Sequence, residues 1–130
     1  MHHSRLAAIA IDCPSETALG TARFWAGALQ AEPRPIEGFD PADPYVKVGS
    51  VAGREVFVQQ VGEPQARLHL DIETDDVEAE VRRLEALGAK RVRAVRTFWV
   101  MEAPTGQRFC VVRAQRANFE RDANVWDDPA

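Results

Sequence analysis

The chain is poor in the features that would assign it at sight. Two cysteines in 130 residues, Cys13 and Cys110, are too few and too widely spaced for a disulfide framework. No apolar run approaches the roughly 20 residues of a membrane span. The first run, Leu6 to Ile11, is also too short for a secretory core followed by a small-residue cleavage site. The expectation is a cytoplasmic protein that does not enter a membrane. An excess of one charge is missing as well: 16 Lys+Arg against 20 Asp+Glu leave a net charge of -4. The basic residues are scattered among acids, which argues against nucleic acid as the main partner. There is no phosphate-cradling glycine loop, no Gly-x-Ser-x-Gly elbow and no Cys-x-x-Cys pair.

What is present is ordinary in bulk and informative in order. With 45% apolar and 28% charged residues, the chain suits one domain large enough to bury a core unaided. Ile9-Ala10-Ile11-Asp12 alternates, then Ser15 to Gln30 has a helical pattern. Leu70-Asp71-Ile72-Glu73 alternates in the same way, then Asp75 to Leu87 has a helical pattern. Each half continues into β-rich sequence, Tyr45 to Val61 and Arg91 to Val112. A glycine, Gly53 or Gly106, opens the last strand of each half. The expected class is α+β, built from two tandem strand–helix–strand–strand–strand modules over residues 5–61 and 66–113, followed by a tail, 114–130. Gly62-Glu63-Pro64-Gln65 supplies the linker. Ala31 to Pro44, with Pro33, Pro35, Pro41 and Pro44, suits an edge strand plus loop. The tail carries Phe119 and Trp126 as its large apolar residues and either packs back, reaches a neighbouring subunit or stays mobile.

The second helix has the clearest local signals. Val77, Val81, Leu84 and Leu87 form its apolar stripe, Asp75 and Glu78 have capping-box spacing, and Gly88 suits the C-terminal cap. Glu78 and Arg82 are spaced for an i,i+4 pair. The first helix has Ala18, Ala22, Trp25 and Leu29 on one stripe and is weakened by Gly20 and Gly27, so packing must hold it. Its Phe24-Trp25 pair is expected to anchor it to a sheet, with a pocket lining as the alternative.

Alternation sorts the strand residues by face. Leu68, Leu70 and Ile72 are expected toward the helix, and His69, Asp71 and Glu73 away from it. Matching the modules sets Ala8 against His69, Ala10 against Asp71 and Asp12 against Glu73. On the last strands Phe57 matches Cys110 and Gln59 matches Val112. Val56, Val58, Phe109 and Val111 then face the helices, leaving Phe57, Gln59, Arg108 and Cys110 opposite. One of Phe98 and Trp99 joins that opposite face, where an aromatic such as Trp99 would stack on a planar ligand, with core packing as the alternative. A mixed apolar and polar face suits a concave ligand site.

Leu68 to Val77 running into Leu84-Glu85-Ala86-Leu87-Gly88-Ala89 resembles the glyoxalase / bleomycin-resistance / extradiol dioxygenase superfamily, the vicinal oxygen chelate fold. Ile11-Asp12-Cys13-Pro14 with Phe24-Trp25-Ala26, and Trp99-Val100-Met101 with Ala103 to Cys110, resemble its glyoxalase-like subgroup. The resemblance spans about Leu6 to Val112. It implies two βαβββ modules whose mixed sheet curls around a central cleft. It also implies metal ligands on the first and last strands. At those positions only His69 is a familiar ligand; Ala8 has no donor, Phe57 (or Gln59, two residues on) stands on one last strand, and Cys110 stands where metal enzymes carry Glu. That set suits Mg²⁺ or Mn²⁺ poorly. No cofactor is therefore expected, and a divalent metal, if held, would use His69 and Cys110.

Several residues carry two readings each. His69 is a general acid or base beside Asp71 or Glu73, or a hydrogen-bonded polar residue of the cleft. Asp12 and Glu73 are a carboxylate pair for acid–base work, or charges near helix starts. Arg108 binds an anionic group or is solvated. Cys110 lacks a second histidine to activate it, because His2 and His3 are left out of every site expectation. The candidate catalytic residues are His69 and Glu73; the candidate cleft is Asp12, Phe57, Gln59, His69, Asp71, Trp99, Arg108 and Cys110. Three readings stay open. The first is a domain that binds a small hydrophobic or aromatic molecule in the inter-module cleft without the usual metal triad. The second is a metal-dependent lyase, isomerase or dioxygenase using His69, and the third is a module that homodimerises through edge strands or the tail.

Overall fold

The computed structural model describes residues 1–14, 18–29, 45–61 and 67–127. Its elements are β1 (His2–Pro14), α1 (Ala18–Ala28), β2 (Tyr45–Val51), β3 (Arg54–Val61), β4 (Arg67–Thr74), α2 (Val77–Ala86), β5 (Lys90–Val95), β6 (Phe98–Glu102), β7 (Arg108–Arg113), α3 (Phe119–Asp122) and β8 (Asn124–Trp126). The strands hydrogen-bond as one mixed eight-stranded sheet, in the order β2-β3-β1-β4-β7-β6-β5 with β8 on β1. The α+β expectation holds. The proposed strand within Ala31–Pro44 and the linker Gly62–Gln65 lie outside the described residues. Among the described residues no helix is long and apolar enough to cross a membrane. The chain divides into two compact units, residues 8–69 and residues 1–7 with 70–130.

In the 8–69 unit, β1 runs parallel to β3, with Ala8 beside Glu55, Ala10 beside Phe57 and Asp12 beside Gln59. β3 returns antiparallel to β2 through a two-residue loop, Ala52-Gly53, with φ of 50° and 76°. Positive φ at both positions matches the strand twist of a tight hairpin, which explains the glycine. Ile11, Cys13, Val48, Val56 and Val58 bury one face under Ala22 of α1, with Trp25 and Leu29 packed around them. Burial of these side chains, each contributing about 1.5–3 kcal/mol, holds a helix that its two glycines weaken. Trp25 is thus the anchor, while Phe24 meets it edge-on at 5.3 Å and stays exposed.

In the other unit, β4 runs parallel to β7, from Leu70 beside Phe109 to Thr74 beside Arg113. β6 pairs antiparallel with both β7 and β5. Val81 and Leu84 of α2 bury against Met101 and Val111, with Ile72, Val77, Trp99 and Phe109 packed around them. The helix cap differs from expectation by one residue: Asp76, not Asp75, accepts from Ala79 N. Asp75 instead accepts from the His3 amide and ring, both at 2.7 Å. Gly88 takes φ 111°, and the Gly88 and Ala89 amides close on the Glu85 and Leu84 carbonyls, as a glycine C-terminal cap requires.

Two expectations about strand faces need correction. Leu68 and Leu70 are 63% and 46% exposed rather than covered by a helix. The reason is where the helices lie: α1 rests on β2 and β3, and α2 on β5, β6 and β7. Of the three apolar β4 positions, only Ile72 reaches the α2 core. Trp99 is the second case. It sits beside Val111 in register and packs with the α2 core, so it lies on the helix side, and Phe98 takes the opposite one.

The tail folds back on its own chain. Arg5 donates to the Ala117 and Asn118 carbonyls at 3.1 and 3.4 Å, and the Ala114 amide donates to the Thr74 carbonyl. β8 pairs antiparallel with His2–Ser4. The Trp126 indole donates to Ser4 Oγ at 2.8 Å, and the Arg83 guanidinium stacks on its ring at 3.8 Å. β1 therefore starts at His2, well before the alternation becomes visible, because its polar residues find partners. His2, left out of the site expectations, is buried and bonded to Glu80 at 2.8 Å.

Candidate functional site

The sheet face turned away from α1 in the 8–69 unit is built by β1 positions 8, 10 and 12 and their register partners. Ala8, Ala10 and Phe57 are buried and apolar. Toward the strand ends the face becomes polar, with Asp12 beside Gln59. Here the His69 Nδ1 and Asp12 Oδ2 are 2.6 Å apart, their side chains 12% and 14% exposed. An ionised carboxylate only accepts, so the imidazole Nδ1–H donates to it. In a neutral ring the lone pair then falls on Nε2, the arrangement used to orient acid–base histidines. The second oxygen, Asp12 Oδ1, is buried and finds no hydrogen-bond partner among the described residues.

The other unit has its own face turned away from its helix. Asp71 sits beside Cys110, Cys110 beside Val100 and Val100 beside Arg93. Directly opposed residues share a face, so these four form one row across β4, β7, β6 and β5. An Asp71 carboxylate oxygen lies within 4.8 Å of the Cys110 sulfur. Two residues along β6 and on the same face, Glu102 accepts from Arg108 at 3.3 Å.

Glu73, paired with His69 as a candidate acid–base residue, is fully buried. Its carboxylate accepts from Arg5 at 2.7 Å and from Arg116 and the Gln115 amide at 3.4 Å. It holds the tail in place. Arg5 gave no site signal in the sequence, because it closes the polar run His2-His3-Ser4 ahead of the apolar stretch that starts at Leu6. The acids around α2 are similarly engaged. Burial alone would push the Glu80 carboxyl up, but bonds from Arg83, His2 and Ser4 outweigh it and hold it below the usual glutamate range. Arg91 does the same for Glu78. For Asp75, burial pushes up and the His3 amide and ring pull down further.

The usual metal ligands of the resembling enzymes do not fit this chain. Ala8 offers a buried methyl group and Phe57 a buried ring, and neither can donate to an ion. Oxygen-preferring Mg²⁺ or Mn²⁺ would be left with too few ligands.

Comparison with known families agrees with the geometry. No curated protein matches the chain. The model of one family, described as Glyoxalase-like domain, matches residues 8–112, which takes in the second half of β1, both longer helices, β2 to β6, β7 up to Val112 and every candidate site residue. Over that span the chain belongs to the glyoxalase-like domain family of the vicinal oxygen chelate superfamily.

Proposed function

We propose that the chain is built of two tandem βαβββ modules, 5–61 and 66–113, and binds a small, largely apolar molecule on the sheet faces turned away from α1 and α2. The recurring register supports the modular reading: Ala10 beside Phe57 and Asp12 beside Gln59 in one unit, Asp71 beside Cys110 and Glu73 beside Val112 in the other. The observation that carries the binding reading is the Asp12–His69 pair. A buried carboxylate oxygen without a donor costs about 1–3 kcal/mol, and a ligand hydroxyl or N–H would remove that cost. Beside it, Phe57 and Ala10 supply the apolar floor on which a ligand body rests. The test is equilibrium binding of compounds found by thermal-shift screening. Asp12→Asn and His69→Gln should each weaken a true ligand by roughly tenfold, the effect of one charge-assisted hydrogen bond. Ligands bound equally well by both variants would overturn the reading.

One observation favours a second reading, a divalent-metal lyase, isomerase or dioxygenase. A carboxylate on Nδ1 is the usual outer partner of an imidazole that binds an ion through Nε2. Stoichiometric zinc, iron, nickel or manganese in the purified protein, lost in His69→Ala, would establish it against the first.

A further inference from the structure

We propose that the helix-free face of β5, β6 and β7 takes a small monoanionic molecule, an aryl or branched alkyl carboxylate, with Arg93 binding the charged group. The inference rests on the reading of that face as a ligand seat, and it adds the ligand's charge and the residue that selects it. It begins with an irregularity. Arg91 and Arg93 are two apart, so alternation would put both on one face, but the pairing of β5 with β6 shifts between them. Arg91 stays beside Met101, and Arg93 falls beside Val100. A bulge re-aims side chains in this way. Arg91 accordingly reaches α2, bonding Glu78 and Glu85 and stacking on Trp99 at 5.0 Å. Arg93 is turned to the other face.

There Arg93 stands apart from the other arginines of its unit. Arg5, Arg82, Arg83, Arg91, Arg108, Arg116 and Arg121 each have a carboxylate within 4.0 Å. Arg93 is exposed and has no ion-pair partner among the described residues. Arg96 and Arg113 share that state, but Arg96 is in a hairpin turn and Arg113 lies beside Thr74, away from this row. Lys90, on the same edge strand as Arg93, stands beside Glu102, which is already bonded to Arg108. The β5 edge of the face thus carries uncompensated positive charge.

The rest of the row is suited to an apolar body. Val100, Phe98, Cys110 and Val112 are half-buried, while the helix-side Met101 and Val111 of the same strands are fully buried. Strand spacing puts Arg93 about 10 Å from Cys110 and about 14 Å from Asp71. A carboxylate held by the Arg93 fork would therefore lay a ring across Val100 toward Cys110. Asp71 at the far end disfavours a second negative charge. An exposed ion pair alone contributes little, so charge and apolar contact must act together.

Cys110 reports occupancy directly, because Cys13, the other thiol, is only 1% exposed. The experiment is iodoacetamide labelling of the full chain, read by mass spectrometry at Cys110, with phenylacetate as the probe and phenylacetamide as its neutral match. Phenylacetate at about four times its Kd should slow labelling roughly fivefold. Arg93→Gln should abolish the protection, whereas Arg93→Lys should keep part of it and Arg113→Gln all of it. Equal protection by the amide, or undiminished protection in Arg93→Gln, would overturn the anionic assignment while leaving the face as a ligand seat. No protection by either compound would overturn both.

Discussion

Replacing Glu73 by Gln tests whether this carboxylate is a structural or a chemical group. Glu73 is fully buried, and its main partner Arg5 is 7% exposed, at 2.7 Å. Removing one member of a buried pair leaves an uncompensated charge and typically costs 3–5 kcal/mol. Arg5 would keep two backbone carbonyls and Asp122 at 3.5 Å, so the lower end, about 3 kcal/mol, is expected. For a domain of this size that is a fall in Tm on the order of 10 °C. Urea denaturation followed by circular dichroism would measure it. The paired replacement Arg5→Met with Glu73→Leu should recover much of the loss, because it removes both charges together. A Glu73→Gln protein within about 1 kcal/mol of the parent would refute the structural assignment. If it also lost ligand binding, Glu73 would return to the binding site.

Other outcomes follow from the same contacts. Glu80 and Asp75 are held below their ordinary ranges in the fold, so their contribution is present above those ranges and is lost as pH falls through the folded values. Acid titration should show stability falling below about pH 4, with a shallower fall in Glu80→Gln. Ala52 sits at φ 50° before Gly53, so Ala52→Asn should raise stability by about 0.5–1 kcal/mol in thermal denaturation. Trp126→Ala removes the stack on Arg83 and the bond to Ser4. It should lower stability by about 2 kcal/mol and speed amide exchange in His2–Ser4.

Local signals carried much of this fold. Val77, Val81 and Leu84 of the α2 stripe, the Gly53, Gly88 and Gly106 positions and the β3 and β7 helix-side residues were legible because period, cap and turn each act within a few residues; Leu87, expected on the same stripe, is the helix's C-cap and is 68% exposed. Alternation also put Asp71 and Cys110 on the face away from the helices, but their lying side by side was not legible, because it depends on which strands pair. What could not be read depends on contacts remote in sequence. Nothing near Val92 announces the bulge that separates Arg91 from Arg93. Leu68 and Leu70 have a buried pattern, but which strands a helix covers is decided by tertiary packing. His2 and Arg5 look incidental until Glu80, Glu73 and the tail are brought beside them. The Asp12–His69 bond joins residues 57 positions apart, and matching the two halves set Asp12 against Glu73 and His69 against Ala8, so nothing in the sequence paired them.

A ligand resting on the helix-free sheet face beside Asp12 and His69 would perturb the residues that line that face. Two-dimensional amide NMR of the labelled protein, titrated with a hit from the screen, tests it most directly. The predicted result is saturable shifts concentrated at Ala10, Asp12, Phe57, Gln59 and His69, with the His69 ring nitrogens moving at the same ligand concentration. Shifts confined to α1 and α2, or a ligand that binds while these five residues stay unmoved, would contradict it.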